Sequence, residues 1–226
     1  MDTLWKIAFR NVLRHKRRTI ITGVIAYDSI LAGLDRLSID TMVAYSSSYI
    51  KVRTPEYIAD ETGTPLDFGI PAPAGTMAAM RKAAPALSAV TPRTLFLAQA
   101  SNYTDAEPVM AAAVDPAGDA GVFDLAGHIA RGSWLRAEGR HQVVMAANVA
   151  KELGLKVGDS VLLSAHTIYD NDNADEFQIV GVAEGGLSLN ATATVYMSYT
   201  DARTFLGEAL PVTELDAAAP RATSLE

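Results

Sequence analysis

The chain of 226 residues has no cysteine. That excludes disulfides, thiolate metal sites and a cysteine nucleophile, and it leaves the compartment open. Histidine is scarce, and His15, His128, His141 and His166 stand too far apart for close metal-ligand spacing. No G-x-x-x-x-G-K-[ST] offers backbone amides and a lysine to phosphates, and G-x-G-x-x-G, G-x-S-x-G and H-E-x-x-H are missing too. Uninterrupted apolar runs are also lacking. With 49% hydrophobic and 20% charged residues the composition is that of a globular protein, too polar for many membrane spans.

What positive charge there is gathers at the N-terminus. Residues 1–18 carry Lys6, Arg10, Arg14, Lys16, Arg17 and Arg18 against Asp2, a net of +5 within a chain of −7, so the remainder carries −12. A basic end beside apolar sequence suits anionic lipid headgroups, and with no recognised binding motif it does not point to nucleic acid. Leu4, Trp5, Ile7, Ala8, Phe9, Val12 and Leu13 recur at helical spacing, with Lys6, Arg10 and Arg14 on the other face. This is the pattern of an interfacial helix, with Trp5 and Phe9 toward the apolar side and Arg10, Arg14, Lys16, Arg17 and Arg18 toward headgroups. An ordinary surface helix has the same periodicity.

The segment at 19–43 follows the basic cluster. Retention of positive charge in the cytoplasm would send it outward as an uncleaved anchor. Asp28, Asp35, Arg36 and Asp40 interrupt it. One charge near the bilayer centre costs roughly 2.5–3.5 kcal/mol, while each Leu, Ile or Val returns about 0.3–0.6. Ile20, Val24, Tyr27, Leu31 and Leu34 form one stripe, so the segment reads either as a transmembrane helix packed on partner helices or as a long amphipathic helix.

Beyond it the chain alternates in short strands and turns. Residues 49–53 alternate as a strand, 54–73 read as loop, and 75–83 as a short helix. Strands are expected at 90–100 and 109–114, joined by a hairpin, with irregular structure at 123–129. Further strands fall at 142–145, 161–164, 177–182 and 194–197, and helices at 148–153, stopped by Gly154, and up to Leu206, stopped by Gly207. One more strand starts near Val212. The acidic run Asp170–Glu176 fails as an EF-hand loop because Ala174 takes a ligand position, so it reads as a solvated hairpin tip. Asp159 reads as a turn residue and Trp134 as a core aromatic.

Several of these segments resemble one family. Ala8-Phe9-Arg10-Asn11-Val12-Leu13-Arg14-His15-Lys16-Arg17-Arg18-Thr19 is similar to the opening motif of FtsX-like ABC transporter permeases. Val114-Asp115-Pro116-Ala117-Gly118, Gly132-Ser133-Trp134-Leu135, the stretch from Ala150 to Val161 and Phe177-Gln178-Ile179-Val180-Gly181-Val182 resemble, in order, signposts of the MacB-like periplasmic core domain. The resemblance implies an α+β protein: an N-terminal amphipathic or transmembrane helix, then a two-lobed extracytoplasmic mixed α/β domain with an inserted β-rich lobe. Its parts would be an interfacial helix at 1–18, a transmembrane or long amphipathic helix at 19–43, a first lobe at 44–120, the inserted lobe at 121–209, and a truncated return strand with a disordered tail at 210–226. The chain is then expected to stop before the family's remaining transmembrane helices.

The function so implied is the periplasmic portion of a permease subunit, of lipoprotein-release, lipid-handling or efflux type. It would couple a separate ABC ATP-binding subunit to an extracytoplasmic partner, without catalysis, cofactor or metal of its own. Expected partners are that ATPase, a further permease copy or subunit, an envelope protein or lipoprotein cargo, and membrane lipids, with no nucleic acid. The expected location is the bacterial inner membrane, N-terminus cytoplasmic and main domain periplasmic. A soluble or peripheral self-association module, motivated by the aspartates at 28, 35 and 40, is the alternative. An envelope hydrolase is a third, without a visible nucleophile–base grouping.

Overall fold

The computed structural model describes residues 48–59, 66–184 and 194–219. The helices expected at 1–18 and 19–43, with all the membrane-interface and stripe residues from Trp5 to Leu34, lie outside the described residues. All the described residues belong to one compact unit. Among the described residues no helix is long and apolar enough to cross a membrane.

The elements run β1 (Ile50–Val52), α1 (Pro55–Ala59), α2 (Pro73–Ala83), β2 (Ala89–Ser101), β3 (Ala106–Val114), α3 (Pro116–Asp119), β4 (Ile129–Gly132), β5 (Gln142–Ala146), α4 (Ala147–Glu152), β6 (Ser160–His166), β7 (Asp172–Ala183), β8 (Thr194–Ser198), α5 (Tyr199–Leu206) and β9 (Glu214–Ala218). Six strands close on themselves. β2 pairs with β3, β3 with β8, β8 with β5, β5 with β7, β7 with β6, and β6 returns to β2. The β3–β8 and β5–β7 pairs are parallel and the rest of the ring is antiparallel.

Period-two alternation decides which side chains fill this barrel. Phe96, Ala98 and Ala100 of β2 point to the same core as Val109, Ala111 and Ala113 of β3, Val143 and Met145 of β5, and Val195 and Met197 of β8. A six-stranded ring is narrow, and the alanines leave room for Phe96, Phe177 and the two methionines. Helices α4 and α5 add Val149, Leu153, Phe205 and Leu206 to that core. Phe205 sits 5.5 Å from Phe177 edge-on and 6.5 Å from Phe96. Burying each such aromatic or aliphatic side chain contributes about 1.5–3 kcal/mol. A second cluster covers the outer face, where Val114, Val144 and Tyr196 meet Phe123, Leu125 and Leu135.

Two long strands carry the ring into its extensions. β2 pairs through Ala98–Ser101 with β6 but through Ala89–Arg93 with β9, and β9 pairs in turn with β1. β7 pairs with β6 up to Gln178 and with β4 from Gly181 onward.

Some sequence expectations need correction. The stretch from Thr54 to Pro73 is not all loop: α1 forms because Pro55 takes its first position and Thr54 caps it, the Tyr57 N–H donating to Thr54 Oγ1 at 3.3 Å. The acidic run is not one hairpin tip. Its turn closes at Thr167–Asn171, where the Thr167 N–H donates to the Asn171 carbonyl at 2.8 Å, and Asp172 already opens β7. Helix α2 starts at Pro73, two residues before the expected Gly75, again with proline in its first turn.

Candidate functional site

The returning strand β9 reads Glu-Leu-Asp-Ala-Ala and is buried along its whole length. Alternation places Glu214 and Asp216 on one face. Two carboxylates inside a sheet are costly unless paired. Their partners come from β1, which pairs with β9 in register Lys51↔Asp216 and Val52↔Leu215. Arg53 donates to Glu214 Oε2 through Nε at 3.0 Å and Nη2 at 2.8 Å, and Lys51 Nζ stands 3.1 Å from the same oxygen and 3.8 Å from Asp216 Oδ1. The Ser48 hydroxyl donates to Asp216 Oδ1 at 2.8 Å.

On the other side of β9, Arg93 of β2 lies opposite Glu214. Its guanidinium donates to both oxygens of Asp119, Nε to Oδ1 at 2.7 Å and Nη2 to Oδ2 at 2.8 Å, and rests 3.4 Å from the centre of the Phe123 ring. Asp119 is delivered by α3, which begins at Pro116 and is capped by Asp115, whose carboxylate accepts from the Ala117 N–H.

These surroundings shift the titrating groups apart. Burial, reinforced by the neighbouring Glu214 charge, pushes Asp216 up to about 7, against the pull of Lys51 and Arg93. Burial also pushes on Glu214, but Lys51 and Arg53 overcome it and hold its carboxyl below the usual range. The two carboxyls are therefore pushed apart, Glu214 toward the charged form and Asp216 toward the protonated one. Asp216 Oδ2 is buried without a hydrogen-bond partner, and hydrogen bonding from the Asp216 side chain adds to the forces that hold Glu214 low. Burial works against the Arg93 charge, but Asp119 more than restores it.

The clamp also fixes where the chain comes and goes. Ile50 is paired with Ala217, and the Tyr49 N–H donates to the Ala217 carbonyl at 3.1 Å. Chain arriving at Ser48 and chain leaving Ala218 therefore stand side by side.

The motif residues singled out in the sequence occupy packing joints. Trp134 Nε1 donates to the Pro116 carbonyl at 3.4 Å, and its ring packs 5.6 Å from that of Tyr196, which joins two of the signposts. Gly132 and Gly181 face each other where β4 meets β7. Asp159 holds its turn, accepting from the Lys156 N–H at 2.8 Å. The acidic run is used locally: Asp170 and Asp172 accept from His166 at 3.0 and 3.1 Å, Asp175 lies 3.4 Å from His141, and Glu176 accepts from Tyr103. Among the described residues no group of three or more His, Asp or Glu could hold a metal ion.

Sequence reasoning did not single out Lys51, Arg53, Glu214 and Asp216. The signal was present as Lys-Val-Arg at 51–53 and Glu-Leu-Asp at 214–216, two strands with opposite charges at the same period of two.

A closed mixed sheet whose first described strand is tied to its last by paired charges defines a mixed α/β domain. The chain belongs to the MacB-like periplasmic core domain family, whose description matches residues 20–225. Similar solved structures include the extracellular domain of the noncanonic ABC-type transporter YknZ from Gram-positive bacteria, with a TM-score of 0.49 and 10% identity over 76% of this chain and 82% of that one. The periplasmic region of MacB from Actinobacillus actinomycetemcomitans gives a TM-score of 0.45 and 12% identity over 67% of this chain and 65% of that one. No curated protein sequence matches the chain.

Proposed function

We propose that this chain is the extracytoplasmic coupling part of a permease subunit of lipoprotein-release, lipid-handling or efflux type, without catalysis of its own. A separate ABC ATP-binding subunit would drive its membrane helices, and the domain would pass the movement to an envelope protein or lipoprotein cargo. A further permease copy or subunit would complete the membrane part, and the basic cluster ending at Arg18 would sit against lipid headgroups in the cytoplasmic leaflet. The observation that carries this reading is the side-by-side position of Ser48 and Ala218, held by Lys51, Arg53, Glu214 and Asp216. A domain hung from two adjacent points and clamped there moves as a lever when those points move. The family's two lobes would correspond to 44–120 with the chain after 210, and to 121–209. β2 serves both, since it pairs with β9 at one end and β6 at the other.

The absence of cysteine makes the test simple. Thr104→Cys places one thiol on the exposed β2–β3 turn, and Thr3→Cys places one at the N-terminus. In intact spheroplasts a membrane-impermeant maleimide should label the first and reach the second only after lysis, with the chain retained through an alkaline carbonate wash. Labelling of both before lysis, or release by carbonate, overturns the membrane-spanning arrangement. Release would favour the self-association module, which Asp28, Asp35 and Asp40 motivate. ATP hydrolysis by the pure chain contradicts the non-catalytic reading.

A further inference from the structure

Away from the clamp, β4, the end of β7, helix α4 and the turn after it line an open cavity of about 340 Å³. That lies at the lower end of the range for small-molecule sites. Its lining is largely apolar, with Ala150 and Val182 buried, Ala147 and Leu155 half-buried and Val157 exposed. Arg131, Lys151 and Lys156 stand at its mouth with a single carboxylate, Glu184. None of these three cations makes an ion pair among the described residues, a state they share with Arg81, Lys82, Arg136 and Arg140. Residues 185–193, which follow Glu184, carry no charged side chain to neutralise them.

The wall is built, not draped. Gly154 takes a φ of +65° and ends α4, which lets the Leu155 N–H reach back to the Ala150 carbonyl at 2.8 Å. Asp159, the nearest acid in sequence to Lys156, is turned to that residue's backbone N–H and not to its ammonium. The Gly158 N–H donates to the Ile179 carbonyl at 2.8 Å, which ties the turn to β7. Lys156 and Val157 are thereby presented at a fixed rim, one charged and one apolar.

We propose that this cavity binds a single-chain amphiphile with an anionic head, the apolar chain lying against Ala150, Leu155 and Val182 and the head held among Arg131, Lys151 and Lys156. Charge complementarity is the argument for this occupant. The chain beyond residue 18 carries −12, yet three of its cations line one apolar hollow against a single carboxylate, Glu184. An apolar floor alone would accept a neutral chain, and cations alone would accept inorganic phosphate. The combination selects both halves of one molecule. The head could be the carboxylate of a fatty acid or the phosphate of a lysolipid, which share this chemistry. The inference rests on the cavity and not on the coupling role, so each can fail without the other.

The test uses the full chain, purified without ionic detergent, in calorimetric titration below the micellar concentration of each probe. Dodecanoate and dodecyl phosphate should bind saturably, the tighter of the two identifying the head as carboxylate or phosphate. Dodecyltrimethylammonium and dodecanol should bind at least tenfold more weakly. The surface variant Lys151→Gln/Lys156→Gln, which leaves the core untouched, should lose at least tenfold for the anionic probes. Equal binding of the cationic probe, or an unchanged double variant, overturns the site. Inorganic phosphate binding as tightly as dodecyl phosphate overturns the amphiphile, and so does preferential capture of an acidic leucine-bearing peptide. Absence of saturable binding overturns the proposal outright.

Discussion

Arg93 and Asp119 form a two-pronged pair at 2.7 and 2.8 Å, both almost fully buried, with the Phe123 ring closing over the guanidinium. The pair joins β2, which runs through barrel and clamp alike, to α3 at the end of β3. Removing one partner strands the other charge in a dry site. Asp119→Ala should therefore lower stability by about 3–5 kcal/mol, read as a shift of the denaturant midpoint. The double replacement Arg93→Met/Asp119→Leu should recover a large part of that loss, because it removes both charges and keeps the volume. A single variant that loses less than about 1 kcal/mol would show that solvent already reaches the pair.

Glycines 132 and 181 meet where β4 crosses β7. A Cβ on Gly132 would fall 2.2 Å from the Val180 carbonyl oxygen at a φ of +82°, and one on Gly181 would fall 2.3 Å from the Ser133 carbonyl oxygen. Both obstacles are backbone and cannot swing aside. Gly132→Ala and Gly181→Ala should each cost on the order of 3 kcal/mol or more. Gly154 also has a positive φ but open space around it. Gly154→Ala should then cost only the left-handed backbone penalty, about 1–2 kcal/mol. Equal thermal shifts for Gly132→Ala and Gly154→Ala would mean that β4 moves away from β7.

How much of this was legible follows from the range of each signal. Alternation in 90–100, 109–114, 177–182 and 194–197 located the strands, because period two is written into neighbouring residues. Gly154 and Gly207 marked helix ends for the same reason. The closure of β6 on β2 was not legible, since Ala98–Ser101 and Leu162–Ala165 attract each other only once the ring has formed. Helix α1 escaped notice because its signal, Thr54-Pro55, sits in a stretch rich in proline, glycine and acid. The clamp was missed for a different reason. Lys51 and Arg53 lie in a strand read from alternation alone, and Glu214 falls in a strand expected to start near Val212. Only their pairing across more than 160 residues lets Glu214 and Asp216 be buried beneath the half-buried Lys51 and Arg53.

His166 reports on the β6–β7 turn. Its ring is hydrogen-bonded to Asp172 first and Asp170 second, and these raise its pKa from the usual 6.5. A raised value favours the protonated folded state. The stabilisation is fully present below 6.5 and is lost as pH rises through the folded value. NMR titration of the ring should show a midpoint above 6.5, and Asp172→Asn should move it down. A midpoint at or below 6.5 in the parent chain would mean that the ring does not hold both carboxylates in solution.

The clamp should carry its own pH signature, because burial and the Glu214 charge raise Asp216 from 3.8 to about 7. In the unfolded chain the group ionises near its ordinary value, so between about pH 4 and 7 the folded state holds a proton that the unfolded state has lost. Stability must then fall as pH rises through this window and level off above it. The full span is at most about 4 kcal/mol at 1.36 kcal/mol per pKa unit. Glu214 acts in the opposite sense, since its lowered pKa brings stability that is lost only as pH falls below 4.5 toward its folded value. The two effects therefore separate along the pH axis. Asp216→Asn keeps the shape and the donor toward Glu214 but cannot ionise. Thermal melts of the parent from pH 5 to 8 should show a falling Tm, and the variant should flatten that slope and melt higher than the parent at pH 8. A parent and variant with parallel profiles would show that Asp216 is already ionised in the folded domain. Lys51 and Arg53 would then neutralise both carboxylates of β9.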